Sequence, residues 1–245
     1  MSRPITIVTG GGRGIGAAIC VRLAADGHDV VIGYRSDREA AAAVAKEVAE
    51  RDGRSLLVAM DTAVEADVER LFDTAAAELG PISGLVNNAG VTGKLGALVD
   101  TSTEDLRQVL DVNVFGYLLC ARRAAKDMAG RGGAIVNISS AAATLGSPGE
   151  YVHYAASKAA TDAMTVGLAK ELAKDGIRVN GVAPGTVHTR IHADMGDPDR
   201  PNRVASRIPL GRSGQPEEIA GAVSWLFSPD ASFTTGTTIR IAGGL

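Results

Sequence analysis

The sequence predicts an α/β protein: one domain built on a parallel sheet covered by helices on both faces. Three observations lead there. Short β-branched runs alternate with longer, alanine-rich periodic segments along the whole chain. Those short runs are continuously apolar, which marks strands buried on both faces. No linker or repeat interrupts the alternation, and 245 residues fall within the range of one large domain.

Each element follows in order. ITIVT (5–9) reads as a strand, followed by a helix-like stretch over 15–25 and a second strand, DVVIGY (29–34). A helical segment over 37–51 precedes the strand SLLVAM (55–60), and another covers 65–79. LVNNAG (85–90) and AIVNISS (134–140) each read as a strand running into a loop; helical patterns at about 103–129 and 153–174 flank the second. IRVNGVAPG (177–185) is a sixth strand, 217–227 a helix and TTIRIA (237–242) the last strand. The exception is 186–216, rich in Pro, His, Asp and Arg and with little periodicity. A long irregular stretch inside a compact domain is usually functional, so a substrate lid is expected at about 186–212, with a plain solvated loop as the alternative.

Composition narrows the function. A net charge of −3 and 4% aromatic residues offer neither a basic stripe nor a base-stacking platform, so nucleic acid is not an expected partner. MSRPITIVTG enters strand-like sequence at once, which leaves no room for a signal peptide. No uncharged apolar run approaches the roughly 18 residues of a membrane span. Cys20 and Cys120 lie far apart in apolar, helix-like stretches, as expected of buried thiols in a reducing cytoplasm.

TGGGRGIG (9–16) lies between the first strand and the first helix. Glycines there permit positive φ and let the backbone approach a pyrophosphate, and the helix behind presents unpaired N–H groups to the anion. The spacing of Gly10, Gly14 and Gly16 is not G-x-G-x-x-G, and no Gly-Lys-Ser/Thr follows to make a Walker loop.

YVHYAASK (151–158) raises a question of chemistry: two tyrosines lie three apart, with one lysine after them. A tyrosine hydroxyl titrates near pH ~10, and a neighbouring ammonium lowers such a pKa by roughly 1–3 units. On a helix the ammonium must lie three or four residues away to share a face. Tyr154 and Lys158 meet that spacing; Tyr151 has no such partner. An isolated Y-x-x-x-K would be a surface pair, so the remaining motifs decide its meaning.

T-G-x-x-x-G-x-G at 9–16, NNAG at 87–90, Asn113 in DVNVFG, SS at 139–140, Y-x-x-x-K at 154–158 and PG at 184–185 stand in one order along the chain. That set resembles the short-chain dehydrogenase/reductase family over essentially the whole sequence. The resemblance implies a Rossmann fold with a seven-stranded parallel sheet, a nicotinamide dinucleotide and, usually, a homotetramer. It also implies an oxidoreductase that moves a hydride between nicotinamide and a carbonyl or secondary alcohol. Tyr154 would be the general acid/base, and Lys158 would bind the nicotinamide ribose and lower the tyrosine pKa. Asn113 would hold a water linking that lysine to solvent, and a serine hydroxyl would polarise the carbonyl.

For the cofactor, the resemblance implies Gly10, Gly12, Arg13, Gly14, Ile15 and Gly16 at the pyrophosphate turn, and Asn88, Ala89 and Gly90 beside it. It places Pro184, Gly185, Val187 and Thr189 near the carboxamide, Tyr154 and Lys158 at the ribose, and Asp61 on the adenine amino group. A helix N-cap is the alternative role for Asp61. In many members the serine lies thirteen residues before the tyrosine, where this chain has Ala141. Ser140 is the candidate, restored by a one-residue insertion in ATLGSPGEYVH, while Ser139 should point to the opposite face.

The second strand ends in Gly33, Tyr34, Arg35 and Ser36, with no acid until Asp37. NAD-selective sites place an acid about 20 residues beyond the glycine loop. Ser36 and Glu39 have capping-box spacing, which puts Asp37 in a first helical turn and leaves Arg35 and Arg13 to meet a 2′-phosphate. NADP(H) is therefore the expected cofactor, with NAD(H) as the alternative. His188, His192 and Asp194 could face one metal, but HTRIH lacks the glutamate of a zinc-protease helix. A dinucleotide-binding sensor or scaffold that has lost catalysis is the rival from another class; an intact Asn113, Ser140, Tyr154 and Lys158 set argues against it. The substrate is open between sugar dehydrogenase-like and 3-oxoacyl-carrier ketoreductase-like members.

Overall fold

The strands form where β-branched residues run together. They are β1 (Ile5–Thr9), β2 (Asp29–Tyr34), β3 (Ser55–Ala59), β4 (Gly84–Asn87), β5 (Gly133–Ile138), β6 (Ile177–Pro184) and β7 (Thr238–Ile241). The structure, a computed structural model, describes residues 3–245. Its single sheet has the order β3-β2-β1-β4-β5-β6-β7, and all six pairings are parallel. This is the Rossmann arrangement. The winding reverses between β1 and β4, so the loops leaving those two strands flank a crevice at their carboxyl ends.

Helices cover both faces, as parallel strands require. On one side α1 (Gly14–Ala25), α2 (Arg38–Ala49) and α10 (Pro216–Phe227) bury Ile19, Leu23, Val44, Ile219 and Leu226 against the sheet. On the other, α3 (Glu65–Glu78), α5 (Gly116–Met128) and α7 (Val152–Leu172) bury Leu71, Phe72, Leu119, Met128 and Leu172. Because apolar residues face both layers, sliding a strand by one residue would expose no polar face. Register is held by the side chains between layers and by polar clamps at the strand ends.

Three local differences from the sequence reading have physical causes. The helix expected over 103–129 divides into α4 (Thr103–Leu110) and α5, joined by a π-helical turn at Asp111–Phe115. Asp37, not Ser36, caps α2: its carboxylate accepts from Ala40 N at 3.0 Å, which places it before the first turn. The stretch 186–216 is ordered into α8 (Ile191–Asp194), α9 (Arg200–Arg203) and a 3-10 turn, too short to show periodicity in sequence. A further one-turn helix, α6 (Ala142–Leu145), follows β5.

Candidate active site

The glycine loop leaves β1 with Gly10 at φ 65° and Gly14 at φ 54°, conformations that favour glycine. A Cβ on Gly16 would lie 2.2 Å from the Gly10 carbonyl oxygen, so the first turn of α1 closes on the loop only without one. Across the switch point, the buried Thr9 hydroxyl accepts from Asn88 N and Ala89 N at 3.0 and 3.1 Å. Asn88 Nδ2 returns bonds to the Thr9 and Gly10 carbonyls at 2.9 and 3.1 Å. NNAG therefore holds the glycine loop open from the neighbouring strand. Asn87, buried one residue earlier, donates to Asn137 Oδ1 at 3.0 Å and to the Tyr117 carbonyl at 3.3 Å.

A cleft of about 630 Å³ runs along this crevice. Gly10, Gly12, Arg13, Gly14, Ile15 and Gly16 border it beside Asn88, Ala89 and Gly90, and Arg35, Ser36 and Asp61 border one end. Tyr154, Lys158, Pro184, Gly185, Val187 and Thr189 border it further along. A cradle of side-chain-free backbone at a helix N-terminus suits a pyrophosphate, so the residues present fit a dinucleotide.

Some expected roles change. Asp61 does not cap α3, whose N-cap is Val64. Instead its carboxylate accepts from Ala63 N at 3.0 Å and pairs with Arg35 Nε at 3.3 Å. Arg13 reaches away from Arg35, to Asp194 at 2.8 Å, joining the glycine loop to α8. His192 spends Nε2 on the Val187 carbonyl at 2.9 Å, and among the described residues no cluster of three or more His, Cys, Asp or Glu is placed to hold a metal ion.

Both candidate catalytic side chains stand on α7. Lys158 is buried, with Nζ donating to the Ile138 carbonyl at 2.8 Å and to the Tyr117 hydroxyl at 3.2 Å. Burial pushes its pKa down to about 7, against the pull of Asp162. Tyr154 is half-buried; burial pushes its pKa up to about 12, while a hydrogen bond with Ser140 works the other way. The expected lowering by Lys158 is absent. The ammonium lies 5.8 Å from the Tyr154 ring centroid, and with its pKa near 7 it carries only part of its charge at neutral pH.

The two serines separate beyond the end of β5. Ser139 is buried and donates to the Lys158 carbonyl at 3.3 Å; Ser140 accepts from Ala142 N at 3.1 Å and bonds to the Tyr154 phenol. Positive φ at Gly146, Ser147 and Gly149 folds the loop between Ser140 and Tyr154.

Asn113 lies in the π-helical turn, fully buried. Its Nδ2 donates to the Val91 carbonyl at 2.8 Å and to Ser157 Oγ at 3.0 Å, and its Oδ1 accepts from Val91 N at 2.9 Å. Both side-chain donors are spent, so a water at this residue would rest on its main-chain carbonyl. Sequence reasoning missed Tyr117, whose hydroxyl donates to Ile138 O at 3.1 Å beneath Lys158. The available signal was its position four residues after Asn113, on the same helix face. It also missed the partner of Tyr151, which is Arg200: Nη2 donates to the Tyr151 hydroxyl at 3.0 Å, and both guanidinium arms grip Glu150.

With this geometry in place, comparison with known proteins decides the family. A family model described as enoyl-(acyl carrier protein) reductase matches residues 10–245. The chain belongs to the short-chain dehydrogenase/reductase family. It is an oxidoreductase of the kind that acts on CH–OH groups. It is 46% identical to the uncharacterised oxidoreductase YgfF of Escherichia coli K12, over 98% of this chain and 99% of that one. A 3-oxoacyl-[acyl-carrier-protein] reductase of Synechocystis is 38% identical over 100% and 98% of the two chains, and glucose 1-dehydrogenase 2 of Bacillus subtilis 36% over 98% and 93%. The structure of a short-chain dehydrogenase of Burkholderia cenocepacia in complex with NADP superposes with a TM-score of 0.90, at 36% identity over 99% and 97%. Among the described residues, no helix is long and apolar enough to cross a membrane.

Proposed function

We propose that this enzyme interconverts a secondary alcohol and a ketone, with Tyr154 as general acid/base. The observation that carries the reading is the meeting of Tyr154 and Lys158 in the same cleft as the glycine cradle, with Ser140 beside the Tyr154 phenol. The bound nicotinamide supplies or accepts the hydride. Ser140 holds the reacting oxygen beside the Tyr154 hydroxyl, which gives its proton to the alkoxide in reduction and takes it in oxidation. A pKa raised to about 12 suits the phenol to the acid role at neutral pH, and oxidation needs a nearby positive charge to draw the proton off. Lys158, held by the Ile138 carbonyl and the Tyr117 hydroxyl, would bind the ribose hydroxyls of the nucleotide. Asn113 braces the turn at Val91 over Lys158, and a water on its carbonyl relays the proton onward.

NADP(H) is the favoured cofactor. Arg35 and Arg13 border the cleft, each resting on a carboxylate in a largely exposed ion pair. Such pairs contribute only about 0–1 kcal/mol, so a 2′-phosphate can displace either acid. Asp37 spends Oδ1 on capping α2 but still borders the cleft, which keeps NAD(H) as the alternative. The segment at about 186–212 serves as the substrate lid, and the enzyme works as a cytoplasmic homotetramer. Exposed Leu110 on α4, Phe115 on the π-helical turn and Leu118 on α5, with the two buried free cysteines, support that setting.

The experiment is steady-state turnover of point variants on a carbonyl panel. Tyr154→Phe is expected to lower kcat by about 10²–10⁴-fold while leaving nucleotide affinity nearly unchanged. Ser140→Ala is expected to slow turnover far more than Ser139→Ala, because a donor counts most where charge develops. A crippling Tyr151→Phe beside a harmless Tyr154→Phe would overturn the assignment.

A further inference from the structure

Most polar side chains at the substrate end of the cleft are spent within the protein, on one another or on main-chain carbonyls. Arg200 is buried and forks onto Glu150, Nη1 to Oε1 at 3.0 Å and Nη2 to Oε2 at 2.6 Å, with Nη2 also reaching the Tyr151 hydroxyl at 3.0 Å. His192 Nε2 is taken by the Val187 carbonyl at 2.9 Å, and the Thr92 hydroxyl donates to the Gly93 carbonyl at 3.0 Å. These residues border the cleft with paired groups, and the one unpaired atom among them, His192 Nδ1, is buried away from the surface. The rest of the wall there is mostly apolar, with Ala141, Ala142, Leu145, Met195, Val204 and Ile208, and carries the Ser147 hydroxyl. Arg207, exposed at the rim, remains in water and leaves the interior apolar. Tyr154, with Ser140 beside it, is left to receive the reacting oxygen, and Ser147 on the loop before α7 is the one other unspent hydroxyl in this part of the wall.

A ligand hydroxyl buried here would go unpaired or break one of those bonds, at a cost of roughly tenfold or more in affinity each. A buried methylene instead gains about fourfold. We propose that the substrate is an apolar ketone or secondary alcohol, alicyclic or long-chain aliphatic, and that polyols such as aldoses are excluded. This rests on the hydride-transfer reading for the reaction but not for the binding preference. In the oxidation direction the carbinol C–H bond breaks, its hydride reduces the nicotinamide, and the O–H proton passes to Tyr154 as the C=O bond forms. The Glu150–Arg200 clasp gives the segment containing α9 its place in this wall, so the selectivity belongs to this chain's own loop residues.

The test uses the wild-type protein saturated with NADP⁺, and separately with NAD⁺. Initial rates are read for 2-alkanols of increasing length, cyclohexanol, D-glucose and sorbitol. In parallel, the nucleotide-loaded protein is titrated calorimetrically with 2-octanone and with D-glucose. The expected result is kcat/KM rising about fourfold per methylene over the first additions. Glucose should fall at least ~100-fold below the best alkanol, the cost of several unpaired hydroxyls, and only the ketone should give binding heat. Glucose or sorbitol equal to the alkanols, a flat chain-length series, or no ketone binding would each overturn the proposal. Ketone binding without turnover of any alcohol would support the proposed pocket chemistry and overturn the hydride-transfer reading.

Discussion

Lys158 shows how a single buried amine in the candidate site bears on stability. Its pKa falls from 10.5 to about 7 because burial penalises the ammonium. Below pH ~7 the amine is charged in both the folded and unfolded chains, and the folded state bears the full penalty. Between about 7 and 10.5 the unfolded chain holds the extra proton, so stability rises with pH across that window. Denaturation of the free protein at successive pH values is expected to show wild-type stability climbing relative to Lys158→Met between those limits. Parallel curves for the two proteins would show that the Ile138 carbonyl and the Tyr117 hydroxyl already compensate the buried charge. Tyr154, three residues from Tyr151 and four from Lys158, owes its candidacy to the same local packing. Tyr151 meets it edge-on at 5.4 Å and turns its own hydroxyl to Arg200.

At the scale of elements, the glycine loop and the segment containing α9 depend on contacts that a single substitution can break. A Cβ at Gly16 would lie 2.2 Å from a backbone oxygen and 2.5 Å from Asn88 Nδ2, neither of which can move without opening the loop. Gly16→Ala is expected to destabilise the protein by about 1–3 kcal/mol through overpacking. It should also weaken dinucleotide binding more than it alters the residual kcat, checked by thermal melting and nucleotide titration. The clasp calls for a different comparison. Glu150→Gln leaves the buried Arg200 charge uncompensated, and removing one partner of a buried pair costs about 3–5 kcal/mol. Because Glu150 is partly exposed, the low end of that range is the better expectation. Glu150→Gln with Arg200→Met is expected to recover part of the loss, read from urea midpoints of the two variants.

At the scale of the whole molecule, the reversal of strand order between β1 and β4 places both nucleotide-facing loops in one crevice. The proposed determinant of cofactor preference lies at the far end of that crevice, where the chain leaving β2 brings Arg35 beside Asp61, just past β3. Arg35→Asp would set an acid against Asp61 and repel a phosphate. It is expected to move the ratio of kcat/KM for NADP over NAD by at least ~10-fold toward NAD, the effect of exchanging one charge-assisted contact for repulsion. A wild type that favours NAD, or a variant whose ratio stays fixed, would show that the phosphate is not read here.

The alternation of apolar runs with periodic segments determined the sheet, its parallel sense and most element boundaries, because those depend on local patterning and on burial of both faces. Tyr154 and Lys158 were legible for the same reason: residues four apart on a helix must share a face. The glycine loop was legible because few other sequences fit between a strand and a helix that way. Tertiary structure alone decided what each polar group meets. Asp37 rather than Ser36 became the cap of α2, and Asp61 turned to Arg35 instead of capping α3. The π-helical turn that spends Asn113 on Val91 and Ser157 has no sequence period of its own. Glu150 and Arg200 lie fifty residues apart on segments too short for any pattern, and only the folded chain brings them together. Local pattern fixes where backbone hydrogen bonds repeat, whereas a side chain's partner is chosen by distance and desolvation once the layers have packed.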